Sequence, residues 1–76
     1  MFYIYGEVQK PGTSIVLRDM TVIQALAQGG GLTPRGTERN IQLHRRNANG
    51  EVEKIRPAMT DRVEPNDVIY VQQSLF

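Results

Sequence analysis

The side chains able to do chemistry are few, and their spacing narrows what that chemistry can be. The 76 residues contain one histidine, His44, and no cysteine. A nucleophilic triad needs a base held between a nucleophile and an orienting acid, and nothing spaced around His44 supplies both. One histidine without thiolates also makes a poor transition-metal site. Asp61, Glu64 and Asp67 fall in one irregular stretch. They form no carboxylate pair for acid–base work, and Asp67 is expected to bond the backbone of a turn instead. The run Gly29-Gly30-Gly31 is expected to follow a helix C-terminus, which has the wrong polarity to cradle phosphate. The pattern G-x-x-x-x-G-K-[ST] is also absent. The expectation is a protein with no catalytic residues, no metal and no cofactor.

What remains are groups that bind by contact. Tyr3 and Tyr5 are two apart, so on a strand they share one face. Such a pair can stack on sugar rings, contact a neighbouring subunit or domain, or stiffen the sheet by cross-strand packing; the last is the simplest reading. Arginines gather at Arg35, Arg39, Arg45 and Arg46, and residues 35–56 hold six Lys/Arg against three Asp/Glu. That local excess of cations suits an acidic polysaccharide or the carboxylates of a neighbouring subunit. The plainer alternative is a solvated edge paired with Glu38, Glu51 and Glu53, where each exposed pair is worth only about 0.2–1 kcal/mol. Arg45 and Arg46 are adjacent on an expected strand and so face opposite sides. Arg35 and Arg39 lie in an expected loop, where binding groups concentrate. Tyr3, Tyr5, Arg35 and Arg39 are therefore the candidate contact residues.

A small fold must position them. The chain is expected to form one domain over residues 1–76, because a core this size supplies a net stability of only about 3–5 kcal/mol. Its composition, 39% apolar and 22% charged with a net charge of +1, argues against disorder and against nucleic acid as a partner. No apolar run reaches the roughly 20 residues that span a bilayer as a helix. The chain opens inside the apolar stretch Phe2–Val8 and closes on Leu75 and Phe76, as a piece of a longer protein is expected to do.

Period-two alternation over Phe2–Val8 predicts a strand with Phe2, Ile4 and Val8 inward. Gly6 on its apolar face marks a bulge or the close approach of another backbone. Pro11-Gly12 predicts a type II turn into a second strand over Thr13–Leu17. Thr21 is expected to cap a helix with Val22, Ile23, Ala25, Leu26 and Ala27 on its apolar face, ended by Gly29 as a left-handed cap. A loop anchored by Leu32 then runs to about Asn40. Ile41–Arg46 and Glu51–Arg56 read as a hairpin through Asn47-Ala48-Asn49-Gly50, the second arm at a charged sheet edge. Pro57–Pro65 is irregular, Asn66-Asp67 is a turn, and Val68–Gln72 is the last strand, with Ile69 and Val71 inward. About five short strands and one helix on one sheet face predict an α+β fold, a β-grasp with a mixed sheet whose final strand returns beside the first.

Three of these segments together carry a resemblance. The stretch Gly6-Glu7-Val8-Gln9-Lys10-Pro11-Gly12 resembles the G-x-V-x-x-P-G opening of the SLBB domain, the soluble-ligand-binding β-grasp family. Met20–Thr33 is similar to that family's helix and its A-G-G-L ending, with Gln28 where Ala is usual. Glu64-Pro65-Asn66-Asp67-Val68-Ile69-Tyr70-Val71 is similar to its closing P-G-D-x-I-x-V, with Asn66 in place of Gly; Asn tolerates left-handed backbone, so the turn should survive. The resemblance implies a non-enzymatic module of a bacterial polysaccharide export protein, soluble itself and periplasmic within an outer-membrane-associated parent. The implied partners are other subunits or neighbouring domains of an oligomeric channel for capsule or exopolysaccharide, and the polysaccharide itself. Two alternatives stay open within the family: capture of a small soluble ligand such as cobalamin or a sugar, and DNA contact through the arginines, against which the near-neutral charge weighs. The β-grasp ferredoxins are excluded by the lack of cysteine.

Overall fold

The computed structural model describes residues 1–73. Its elements run β1 (Phe2–Gly6), β2 (Gly12–Ser14), α1 (Val22–Gln28), β3 (Gly36–Arg46), β4 (Val52–Ile55) and β5 (Val68–Gln73). The sheet order is β2-β1-β5-β3-β4, so the last strand lies at the centre. It pairs parallel with β1, through Ile4 opposite Ile69, and antiparallel with β3, through Leu43 opposite Ile69. This is the α+β β-grasp arrangement expected from the sequence, with a mixed five-stranded sheet.

Period-two alternation decides which side of the sheet is dry. Phe2, Ile4, Ile41, Leu43, Ile69 and Val71 are all buried on one face, where Val22, Ala25 and Leu26 of α1 pack with them. Met20, Val8 and Val63 close the margins of this core. A helix of seven residues is marginal in isolation, so its ends are held. Thr21 caps it reciprocally: its hydroxyl accepts from the Gln24 backbone N–H and its own N–H donates to the Gln24 side chain. The next two N–H groups donate outward, Val22 to the Asp61 carbonyl at 2.8 Å and Ile23 to that of Met59 at 3.1 Å. The irregular 57–65 segment thus docks the helix N-terminus.

Five details differ from the sequence reading. The second strand is confined to Gly12–Ser14 rather than reaching Leu17, and Ile15 and Leu17 are exposed. Pro11-Gly12 is not a tight hairpin turn, since Gly12 lies opposite Ile4 and residues 5–11 separate the arms. The cause is Gly6, which turns the chain at φ +90° beside β5, opposite Val71; a Cβ there would collide with the Val71 carbonyl oxygen. That carbonyl instead accepts from the Glu7 N–H at 2.9 Å, and Val8 goes on to bridge to Leu32. The predicted close approach at Gly6 is therefore real, and it spreads the hairpin apart.

At the helix end, Gly29 has φ −77° and is not left-handed. The left-handed residue is Gly30, at φ +81°. The Gly30 N–H donates to the Ala27 carbonyl and the Gly31 N–H to that of Leu26, the double bond pattern of a Schellman ending, which places the positive φ one residue after the cap. On α1, Ile23 and Ala27 face solvent because a short helix on a sheet buries only one stripe, here Val22, Ala25 and Leu26. Finally, β3 begins at Gly36 rather than after Asn40. Gly36 pairs with Gln73 and Ile41 with Val71, so residues 37–40 bulge opposite the single residue Gln72.

Candidate functional site

With α1 on one face, the opposite face of the sheet is uncovered along its paired stretches. Alternation sends Tyr3 and Tyr5 of β1 to this face, as expected. Parallel pairing of β1 with β5 sets Tyr70 directly opposite Tyr5, with ring centroids 5.9 Å apart and planes tilted by 35°. Antiparallel pairing of β5 with β3 sets His44 opposite Val68, diagonal to Tyr70, at a centroid distance of 5.2 Å and a tilt of 45°. Three rings therefore cross three adjacent strands in one row. Tyr3 lies beside it, half-buried, opposite Val68.

The register also sorts the charges. On the β3–β4 hairpin, His44 faces Lys54 and Arg46 faces Val52, so both cations share the aromatic face, whereas Arg45 faces Glu53 on the other. Along the paired stretches of β1, β3, β4 and β5, the aromatic face carries tyrosines, Gln42, Gln72, His44, Arg46 and Lys54, and no carboxylate. Such a face can stack flat rings, exchange hydrogen bonds with hydroxyls through its amides, and attract anions.

Arg45 does not behave as a solvated edge residue. It shares the parity of Ile41 and Leu43, and its guanidinium turns inward to the fully buried Asp67. Nε donates to Asp67 Oδ1 at 3.0 Å and Nη2 to Oδ2 at 2.8 Å, a bidentate pair; Nη1 reaches Glu64 at 3.0 Å. Hydrogen bonding to Asp67 raises the Arg45 pKa above its ordinary value, against the opposing effect of burial and with help from the Asp67 and Glu64 charges. Asp67 Oδ2 also accepts from the Glu64 backbone N–H at 2.8 Å, the turn bond expected of it. The cluster ties β3 to the turn that launches β5. The partners expected for the basic cluster, Glu38, Glu51 and Glu53, form no ion pair with it among the described residues.

The sequence holds a signal for this pair. A cation in register with two buried aliphatics must find a buried anion, and Asp67 precedes the only strand that adjoins β3 on its inner side. Tyr70 had a signal too, lying between the inward Ile69 and Val71. Its alignment with Tyr5 needed the strand order.

The arginine candidates lie apart from the ring row. Arg35 is exposed in the turn before β3, and Arg39 is exposed in the bulge; neither makes an ion pair among the described residues. The structure does not gather Tyr3, Tyr5, Arg35 and Arg39 into one site. Two hollows open elsewhere. One of about 420 Å³ lies between α1 and the preceding segment, lined by Leu17, Arg18, Met20, Gln24, Ala27 and Gln28. A smaller one of about 230 Å³ sits over the ion cluster, between Leu43, Arg45, Ile55 and Glu64.

Among the described residues no group of three or more His, Cys, Asp or Glu is placed to hold a metal ion. Among the described residues no helix is long and apolar enough to cross a membrane. A search of curated proteins finds no match. The model of the SLBB domain family matches residues 1–56, which include the widened β1–β2 hairpin, α1 with its glycine ending and the β3–β4 pair. The central strand β5 lies outside the matched span yet takes the place beside β1 that the β-grasp requires. The chain belongs to the SLBB domain family of soluble ligand-binding β-grasp modules.

Proposed function

We propose that this domain is a non-enzymatic, periplasmic module of a polysaccharide export protein, working by contact within an oligomeric channel of an outer-membrane-associated parent. Membership of the SLBB family, whose modules are common in such proteins, supports the setting. The observation that carries the mode of action is the distribution of exposed groups. Leu17, which lines the hollow beside α1, and Ile23 on α1 are 57% and 52% exposed, aliphatics that a neighbouring domain or subunit would cover. Exposed arginines at Arg35 and Arg39 would complement its carboxylates at the rim.

The test uses the full-length parent. Leu17→Glu with Ile23→Glu is expected to abolish ring assembly, read by native mass spectrometry. Arg35→Ala with Arg39→Ala is expected to weaken assembly and reduce exported polysaccharide. Amide NMR spectra of the isolated variants should retain native dispersion. A parent that assembles and exports normally with all four positions replaced refutes the reading.

A second reading, capture of a small soluble ligand, is favoured by the 420 Å³ hollow beside α1, a volume within the range of small-molecule sites. Titration with cobalamin and monosaccharides, followed at the amides of residues 17–28, tests it. Saturable shifts confined there would support this reading.

A further inference from the structure

We infer that the Tyr5–Tyr70–His44 row is a stacking platform for an acidic glycan, one sugar ring lying on one or two aromatic rings. The inference deepens the export reading by naming the surface and the ligand chemistry, and rests on it for the presence of a polysaccharide.

Four observations carry it. The rings sit 5.9 and 5.2 Å apart in adjacent strands and are tilted by 35° and 45°, so they do not consume one another's faces by parallel stacking. Tyr5 and Tyr70 are 39% and 41% exposed, and each couples an apolar ring to a hydroxyl that can bond to water or ligand. Next to the rings stand amides: Gln42 is opposite Tyr70, and its side-chain oxygen is 3.4 Å from His44 Nε2. Amides match the mixed donors and acceptors of sugar hydroxyls.

Charge then selects the class of glycan. Arg46 and Lys54 share this face with His44 and no carboxylate opposes them along the paired stretches, so a uronate or other acidic sugar is favoured over a neutral one. A protein partner fits less well. Of the strongly exposed aliphatics, Leu17 lines the hollow beside α1 and Ile23 lies on the helix itself, whereas on the strands of the aromatic face Val52 stands at the edge. Neither hollow opens on the aromatic face. A flat platform suits a passing chain better than an engulfed small molecule.

The experiment is an NMR titration of the full chain with oligogalacturonate, with maltohexaose as the neutral sugar and polyglutamate as a sugar-free polyanion. Saturable shifts are expected at the Tyr5 and Tyr70 ring signals and at His44 with oligogalacturonate, with weaker binding of maltohexaose. Tyr70→Ala should lower affinity about tenfold, the scale of one lost stacking contact. Arg46→Gln with Lys54→Gln should erase the preference for the acidic sugar while leaving the weak neutral binding. Retained amide dispersion in Tyr70→Ala and in the Arg46→Gln, Lys54→Gln variant separates loss of binding from loss of fold.

The inference is overturned by no saturable shift with either sugar, by shifts confined to residues 17–28, or by polyglutamate binding as tightly as oligogalacturonate. Ring shifts that depend on protein concentration without sugar would make the row a contact between copies and would also overturn it. None of these touches the export reading, which stands or falls on assembly and export in the parent.

Discussion

The two faces of the sheet are made by the same alternating strands, yet they carry different chemistry. On the helix side, Phe2, Ile4, Leu43 and Ile69 are sealed under α1, and the surplus aliphatics Leu17 and Ile23 stand in solvent beside and on the helix. On the aromatic side, the same strands present rings, amides and cations with no aliphatic cluster. A domain this small has too little core to bury charge freely. Asp67, the one buried carboxylate among the described residues, is bonded at both oxygens. The comparison teaches that the two surfaces suit two kinds of contact. Dry aliphatics suit another protein surface, and half-wet rings suit a hydrated polymer.

That division can be broken at its hinge. Gly6 is where β1 turns against the backbone of β5, so Gly6→Ala must relieve both an unfavourable φ and a collision with the Val71 backbone. A loss of about 3 kcal/mol or more is expected, comparable to the whole stability of such a domain. Urea unfolding and amide dispersion would show both faces lost together. A cooperative transition close to that of the natural chain would refute the role assigned to Gly6.

Next in size is the ion cluster, which fixes β3 against β5 and so holds His44 beside Tyr70. Arg45→Met leaves the buried Asp67 carboxylate with its turn bond alone, and should cost about 3 kcal/mol in denaturant unfolding. Arg45→Met combined with Asp67→Asn should cost less than the Arg45 change by itself, because the uncompensated charge is gone. Strict additivity of the two changes would mean that the pair is not coupled.

Smaller effects separate the faces. Thr21→Ala removes one half of the capping box and should cost about 1 kcal/mol by the same measurement. That loss belongs to the helix side, so the relative ring shifts of Tyr5 and Tyr70 should stay unchanged. Smallest of all, Ile15→Ser should change stability by less than about 0.5 kcal/mol, since the side chain is 65% exposed. A larger loss would show that the exposed aliphatics belong to the core and are not a contact surface.

How far the chain could be read from its letters varied by region. Strand faces were legible wherever alternation was uninterrupted, as at Ile41–Leu43 and Ile69–Val71, because a side-chain period of two admits only one dry face. The cap at Thr21 was legible because a hydroxyl there satisfies an orphan N–H. The β1–β2 connection was not. Pro11-Gly12 signals a turn locally, but the register is set by Gly6 against a strand more than sixty residues away. The same holds for the candidate site. Tyr3 and Tyr5 were evident as a pair from spacing, whereas Tyr70 and His44 joined them through pairings between distant strands. Arg45 was read as an edge cation because its partner Asp67 lies 22 residues along the chain.

From the sequence alone came the number and type of the elements, the inward residues of β1, β3 and β5, and the absence of cysteine, because these depend on composition and on interactions within a few residues. The return of the last strand beside the first was expected from the element order, and only the tertiary structure decided that β5 also pairs with β3, and in which register. That placement puts three rings in one row and turns Arg45 from a surface charge into a half-buried clamp on the buried Asp67. The physical reason is that strand order is chosen by burying the whole apolar face at once. No local period encodes it, and every contact across the sheet follows from it.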